Sequence, residues 1–179
     1  MTIVRHLMMA VPAVALAFAA PAQADLERGS AAWERGDYET AVSEWRDLSN
    51  SGNPDAQFNM AQAYRLGRGV VTNMAQAEIL MAKAAAQGHM RAIDIYGLLL
   101  FQDGRRKQAM PYVAASAERG NPRAQYLLGI SHFNGDLATL DWVRAYALIT
   151  LANNAGFEPA RNAAAQMDDH IPLEQRQQA

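Results

Sequence analysis

Small and large apolar residues recur along this chain in a fixed frame marked by four glycines. The glycines lie 36, 32 and 36 residues apart, at Gly52, Gly88, Gly120 and Gly156. One alanine follows each glycine by four residues and another precedes it by eleven, at Ala56, Ala92, Ala124, Ala160, Ala41, Ala77, Ala109 and Ala145. A large apolar side chain lies four residues after each preceding alanine, at Trp45, Met81, Val113 and Ile149. Self-similarity at such a period predicts a repeat protein built of stacked units.

Each unit is predicted to hold a helix A, a loop with a glycine, a helix B and a closing glycine that ends helix B in a left-handed conformation. Asn53-Pro54 and Asn121-Pro122 open two units, with Asn as the N-cap and Pro at the first helical position. The predicted helices A lie at about 55–66, 91–102 and 123–134, and the helices B at about 74–87, 107–119 and 141–155. A degenerate first pair covers about 26–35 and 38–50, a further helix covers 158–168, and Pro172 opens a short final helix.

Small residues also mark where paired helices approach each other. Five residues after the first alanine of each full unit stands Ala61, Gly97 or Gly129. A single helix pair cannot cover its own apolar face, so neighbouring units must stack to form a continuous core. Pro111 lies inside the third helix B, where it removes a hydrogen bond and crowds the preceding turn, so we expect a late start or a bend there.

The first 24 residues have the pattern of a cleavable signal peptide. Arg5 gives a charged start, the apolar run Leu7 to Ala20 follows, and Ala22-Gln23-Ala24 forms a small-x-small cleavage site. The run of 14 residues is too short to span a bilayer comfortably, although an N-terminal membrane anchor is the alternative. We therefore expect cleavage after Ala24, a periplasmic or secreted protein, and no membrane span after cleavage.

Composition narrows the function further. Residues 25–179 hold 15 basic and 18 acidic side chains and no basic stripe, which argues against nucleic acid as a partner. The chain has no Cys, so disulfides, thiolate metal sites, a Cys nucleophile and a lipoprotein anchor are all excluded.

The second unit resembles the Sel1-like repeats, a branch of the tetratricopeptide superfamily. Its matching residues are Ala56, Ala61, Tyr64, Gly67, Gly69, Val70, Ala77, Ala84, Ala85 and Gly88. The fourth unit adds Ala124, Leu128, Gly129, Gly135, Ala145, Ala152 and Gly156. The first pair is more similar to an ordinary tetratricopeptide unit, and the third departs most because its loop is short and lacks Gly-x-Gly-Val.

The resemblance implies an all-α, right-handed α-solenoid of about four helix pairs with a C-terminal capping helix. Its units are expected at about 25–52, 53–88, 89–120 and 121–156, with the cap at 157–179. Proteins of this family mostly act as scaffolds for proteins or peptides, and some regulate envelope sensors or cell-wall processes. A cysteine-rich branch is associated with penicillin binding and hydrolysis, an activity that does not carry over to a chain without Cys.

The resemblance also implies that the helix A rows line a concave binding surface. Mapping that surface by the small-residue frame gives the candidate contacts Phe58, Gln62, Arg65, Arg91, Asp94, Arg123 and Tyr126. Asp55, Leu98, Phe101, Ile130 and Phe133 occupy further positions of the same rows. Aromatic side chains beside Arg and Gln suit a protein or peptide partner. The alternative is that the aromatics pack between repeats and the arginines are solvated.

Chemistry-bearing clusters are scarce. His89, His132 and His170 have no i, i+4 partner of metal-ligand type, and His132 occupies the packing position of Tyr64. Asp168-Asp169-His170 lies at a helix end, where polar caps are common. We therefore expect no catalytic residues, no cofactor and no metal.

The leading hypothesis is a periplasmic scaffold or adaptor that is not an enzyme. The alternatives are a periplasmic regulator of an envelope sensor kinase and a cell-wall-related hydrolase or penicillin-interacting protein. Candidate partners are accordingly an envelope sensor or a cell-wall-associated protein.

Overall fold

The computed structural model of the protein describes residues 19–179. Within this range the regular structure consists of ten helices and no strands. They are α1 (Ala19–Glu34), α2 (Tyr38–Asn50), α3 (Pro54–Leu66), α4 (Met74–Ala86), α5 (Met90–Gln102), α6 (Arg106–Glu118), α7 (Pro122–Asn134), α8 (Trp142–Asn154), α9 (Glu158–His170) and α10 (Leu173–Gln178). The all-α prediction is confirmed, and the boundaries of α2 to α8 agree with the predicted ones to within a residue.

Side-chain caps and glycines set these boundaries. The Asn53 side chain accepts a hydrogen bond from the Ala56 amide at 2.9 Å, and Asn73 and Asp141 cap α4 and α8 in the same way. The closing glycines of all four units have φ between +81° and +98°, a region that L side chains rarely adopt. The predicted left-handed helix ends are therefore confirmed.

The eight frame alanines form the buried seam of the molecule. Each is at most 7% exposed, and six of the eight are entirely buried. The large apolar residues beside them, Trp45, Met81, Val113 and Ile149, are at most 3% exposed. From α1 to α9, each helix packs chiefly against its neighbours along the chain, first within a pair and then between pairs. This is the stacked arrangement that the repeat predicts.

Glycines occupy the tightest contacts within the helix pairs. A Cβ atom built on Gly97 of α5 would lie 2.8 Å from the Cβ of Tyr112 in α6. One built on Gly129 of α7 would lie 2.9 Å from a side-chain carbon of Ile149 and 3.2 Å from the Ala145 carbonyl oxygen in α8. The two carbon–carbon distances, 2.8 and 2.9 Å, are shorter than carbon atoms tolerate, so glycine allows these helices to lie this close.

The core runs from pair to pair. Tyr96 and Tyr112 pack against both the N-terminal cluster of buried residues and the central one, and their rings meet edge to face with centroids 5.0 Å apart. Helices α7 and α8 contribute side chains to both the central and the C-terminal cluster. The described part of the chain is therefore one stack with a shared apolar interior.

The two ends of the stack differ from the interior. Helix α1 begins at Ala19, earlier than the predicted residue 26, and continues across Ala24. At the other end α10 packs on α8, and Asp168 accepts hydrogen bonds from the Tyr146 hydroxyl at 2.9 Å and from Arg176 at 2.7 Å. No helix within residues 19–179 is long and apolar enough to cross a membrane. Most of the apolar run Leu7 to Ala20 lies outside the described residues.

Pro111 lies inside α6 without interrupting it. The helix begins at Arg106, one residue before the predicted Lys107, and continues to Glu118. Pro111 has no N–H, so the Lys107 carbonyl lacks its usual helical donor. The proline is thus accommodated within a continuous helix in the shortest unit, and the expected late start is not observed.

Substituting Gly97 by Ala tests the close contact between α5 and α6. Alanine normally stabilises a helix relative to glycine, but here the added methyl group pushes against Tyr112, and overpacking costs about 1–3 kcal/mol. We therefore expect Gly97→Ala to lower the free energy of unfolding in urea titrations. The exposed Gln102→Ala change in the same helix is the matched control and should leave it unchanged. A more stable Gly97→Ala protein would contradict the packing described.

His89 makes stability depend on pH. Its Nδ1 accepts a hydrogen bond from the Ala92 amide at 3.1 Å and so caps α5, which requires the neutral ring. Burial lowers the pKa of His89 below its ordinary value of 6.5, and Arg91 lowers it further, although the Asp55 carboxylate opposes both effects. Because the folded-state pKa is the lower one, this stabilisation is present above about pH 6.5 and is lost as the pH falls through the folded-state value.

We expect thermal unfolding to show a decline in midpoint below pH 6.5 in the parent protein. Asn also caps helices but does not titrate, so His89→Asn should flatten this part of the pH profile. If the unfolding midpoints of the two proteins fell equally steeply below pH 6.5, His89 would not be the source of the pH dependence.

Candidate functional site

A groove opens along the helix A row at the N-terminal half of the stack. It has a volume of about 510 Å³, and its lining comes mainly from α1, α3 and α5. Trp33 extends from α1, Phe58 and Gln62 from α3, and Arg91 from α5. The first helices of three successive units thus contribute to one surface, because stacking places them side by side.

The floor of the groove is aromatic and largely covered. Phe58 is 2% exposed, and the His89 ring stacks on it with centroids 4.5 Å apart and planes 18° apart. The Arg91 guanidinium lies 4.8 Å from the centroid of the same ring. Trp33 and Trp45 meet with centroids 5.5 Å apart beside it. Phe58 is therefore part of the core as well as the base of the groove.

Three arginines line the groove. Arg91 lies over Phe58, Arg68 lies over the rings of Trp33 and Tyr38 at 5.7 and 4.9 Å, and Arg65 donates two hydrogen bonds to the Gln62 side-chain oxygen at 3.0 and 2.8 Å. All three are exposed, and none forms an ion pair with a carboxylate within residues 19–179. One acidic residue, Glu34, shares the lining with them.

The loop between α3 and α4 sets the position of Arg68. Gly67 ends α3 in a left-handed conformation, and Gly69 also has a positive φ of +69°. A Cβ built on Gly69 would lie 2.2 Å from the Tyr38 carbonyl oxygen, so the loop can touch the start of α2 only because residue 69 is glycine. This contact brings Arg68 over the two rings of the first unit.

The remaining predicted contacts lie elsewhere along the stack. Asp94 and Arg123 line a second, much smaller cavity of about 40 Å³ among α5, α6 and α7. Asp94 forms an ion pair with Arg119 of the α6–α7 turn. Tyr126 packs against Phe157 with ring centroids 5.5 Å apart. The structure therefore brings Phe58, Gln62, Arg65 and Arg91 together and separates Asp94, Arg123 and Tyr126 from them.

The other aromatic positions of the predicted rows mostly pack between helices. Phe133 lies near Trp142 and His170, with ring centroids 6.4 and 6.2 Å away, and Phe101 lies beneath Arg106. Sequence reasoning missed Trp33 and Arg68 as lining residues of the groove. A basic residue between two loop glycines was the available signal.

The titratable clusters have structural partners. His132 is 8% exposed and its Nδ1 hydrogen bonds with the Thr139 carbonyl at 2.8 Å, which confirms the packing role predicted for it. Hydrogen bonds from Tyr146 and Arg176 hold the pKa of Asp168 below its usual range, and Asp168 in turn raises the pKa of Tyr146. Across residues 19–179 no group of three His, Asp or Glu side chains is arranged to hold a metal ion.

Known structures share this architecture. A protective antigen of uropathogenic Escherichia coli with an SLR fold superimposes with a TM-score of 0.71 and 21% identity, covering 88% of this chain and 36% of the antigen. A Sel1 repeat protein from Oxalobacter formigenes gives a TM-score of 0.64 and 23% identity, covering 78% of this chain and 57% of that one. At these identities the likeness concerns the fold.

Two curated proteins share part of the sequence. An exopolysaccharide production negative regulator of Rhizobium meliloti (strain 1021) is 29% identical over 107 residues, which are 59% of this chain and 39% of the regulator. The protein of the same description from Rhizobium leguminosarum bv. viciae is 31% identical over 75 residues, covering 42% of this chain and 28% of the relative. This chain therefore matches less than half the length of either relative.

The Sel1 repeat family itself matches two segments, residues 54–89 and 122–157. The first segment contains α3 and α4, and the second contains α7 and α8, so each match covers one helix pair with its closing glycine. The segment between them is the short third unit, which departs from the family pattern in its loop but keeps the same helix pair. The chain therefore contains two Sel1 repeats, within a stack of helix pairs that has the fold of known Sel1 repeat structures.

Proposed function

We propose that this protein is a binding module that holds a partner protein or peptide in the groove along α1, α3 and α5. The observation that carries the proposal is the clustering of Arg65, Arg68 and Arg91, all without ion-pair partners in the described chain, around an aromatic floor. Arginine and aromatic side chains are the residues that most often dominate binding energy at protein interfaces. The Sel1 repeat fold is typically a non-catalytic scaffold, which agrees with this role.

The proposed site of action is the periplasm. The charged start, the apolar run and the Ala22-Gln23-Ala24 triplet support export followed by cleavage after Ala24. Cleavage would leave Asp25 as the first residue, within α1 but before the buried Ala32 that anchors this helix to the core. The buried residue of α1 therefore lies in the part of the chain that would remain after cleavage.

A regulatory role is the second candidate function. The two curated relatives are negative regulators of exopolysaccharide production, and this favours a binding module that acts on a signalling partner such as an envelope sensor kinase. Deleting the gene and measuring transcripts distinguishes a regulator from a structural adaptor. Loss of a regulator changes the expression of a defined set of genes, whereas loss of a structural adaptor leaves expression unchanged.

An enzymatic role has less support. The groove residues that titrate are arginines and Glu34, and hydrolysis requires a nucleophile or a carboxylate pair in a cleft. Turnover of nitrocefin or peptidoglycan by the purified protein would reinstate a cell-wall hydrolase or penicillin-interacting protein.

Site-specific photocrosslinking tests the groove as the binding surface. Benzoylphenylalanine placed at Asn59 or Gln62, which line the groove, is expected to form adducts with a partner in cells of the native host. The exposed Ser43 and Arg46 on α2 lie outside the groove and are the matched control positions. Adducts from the α2 positions and none from the groove would place the partner elsewhere and overturn the proposal.

Signal cleavage has its own test. Replacing Ala22 and Ala24 by Leu removes the small side chains that the cleavage site needs, so the unprocessed protein should accumulate. Gln23→Ala changes only the middle residue and should be processed normally. Mass spectrometry of the protein from periplasmic extracts should find Asp25 at the N-terminus. An intact N-terminus in the unsubstituted protein would favour the membrane-anchor alternative.

A further inference from the structure

We infer that the groove recognises an acidic peptide segment, with the carboxylates of Asp or Glu side chains contacting the arginines. This inference rests on the proposed function, because it specifies the chemistry of the partner in the same groove. It starts from the charge: three arginines and one glutamate line the groove of a chain whose net charge is −2. The groove therefore has a charge opposite to that of the molecule as a whole.

The arginines are also held in place before any partner binds. Arg91 and Arg68 lie over aromatic rings, and Arg65 is fixed by two hydrogen bonds to Gln62. A guanidinium over a ring keeps the N–H groups at its edge available, and these match the two oxygens of a carboxylate. Immobilised side chains lose less entropy on binding than free ones, so the arrangement strengthens the binding of a carboxylate.

Five arginines outside the groove are paired with carboxylates, whereas five others in the described chain, Arg35, Arg46, Arg106, Arg123 and Arg144, are unpaired but lie outside the groove. Arg28, Arg105, Arg119, Arg161 and Arg176 each form an ion pair with a carboxylate of the described chain. The three groove arginines have no such partner within residues 19–179. The groove is thus a place where carboxylates from another molecule can form the pairs that the fold itself does not.

The aromatic floor favours a peptide over a polysaccharide. Sugar rings bind by stacking on exposed aromatic faces, but here Phe58 is 2% exposed and carries Arg91 and His89 against its ring. The faces of Trp33 and Tyr38 carry Arg68. The apolar edges that line the groove, including those of Leu66 and Ile95, suit apolar side chains between the acidic ones.

The test is selection of binders from a random peptide library on the purified protein, followed by fluorescence polarisation with the selected peptides. Two groove variants separate charge from shape. The double variant Arg65→Glu, Arg91→Glu reverses the charge at exposed positions, and Asn59→Trp fills the groove without changing charge. Arg106→Glu is the matched control, because Arg106 also lies over an aromatic ring, that of Phe101 at 5.3 Å, but outside the groove. Circular dichroism verifies that each variant is folded.

The expected result is enrichment of peptides rich in Asp and Glu. Their affinity should fall by about tenfold or more in the charge-reversed variant, and equally when Asp and Glu of the peptide are replaced by Asn and Gln. It should also fall as the salt concentration rises. The Arg106→Glu variant should bind these peptides as the unsubstituted protein does. Neutral or basic peptides that lose binding in Asn59→Trp would overturn the inference and leave the proposed function standing. Selected peptides that bind both groove variants as tightly as they bind the unsubstituted protein would overturn the proposed function too. The inference would also be overturned if polygalacturonate bound through the arginines and no peptide did, because the groove would then be assigned to an acidic polysaccharide.

Discussion

The close approach of paired helices at small residues determines the rest of this structure. Alanine at the frame positions and glycine at 97 and 129 let one helix lie against the next, while Trp45, Met81, Val113 and Ile149 fill the space beside them. Dense packing of this kind fixes the orientation of each pair, since interiors at crystal-like density tolerate little displacement. Once each pair is fixed, the first helices of successive units must lie side by side, and the groove is the surface that they form.

The groove depends on that arrangement in a specific way. None of its residues is close to all the others in sequence: Trp33 belongs to the first unit, Phe58 and Arg65 to the second, and Arg91 to the third. Their proximity follows from stacking and from the loop that Gly67 and Gly69 turn. A buried phenylalanine at the floor links recognition to stability, because Phe58 packs in the core and also supports Arg91. Changes at the groove floor are therefore structural, and changes at the arginine rim report on binding.

The sequence was sufficient to predict the helices and their pairing. Caps such as Asn53 and Asn121, closing glycines and the alanine frame are local signals, and each has a direct structural counterpart. The extension of α1 to Ala19 was not predicted, because residues 19–24 were assigned to the signal peptide. The late start expected for α6 was also wrong, because the helix begins at Arg106 and continues through Pro111.

Only part of the site could be predicted, for physical reasons. A periodic frame identifies which residues share a row, and four of the predicted contacts, Phe58, Gln62, Arg65 and Arg91, line one groove. It does not identify which rows are filled by packing, so it did not predict the pairing of Asp94 with Arg119 or of Tyr126 with Phe157. It also could not place Arg68, whose contacts with Trp33 and Tyr38 arise from an irregular loop rather than from any period.

The central claim, that successive units stack through one shared core, is tested most directly by nuclear Overhauser effects between rings of different units. Phe58 and His89 belong to the second and third units, and Tyr126 and Phe157 to the fourth unit and the cap. The ring centroids of these two pairs lie 4.5 and 5.5 Å apart. The account predicts cross-peaks for both ring pairs in a folded, well-dispersed spectrum. A spectrum of equal quality that lacked both would contradict it, because the units would then be folded without being stacked.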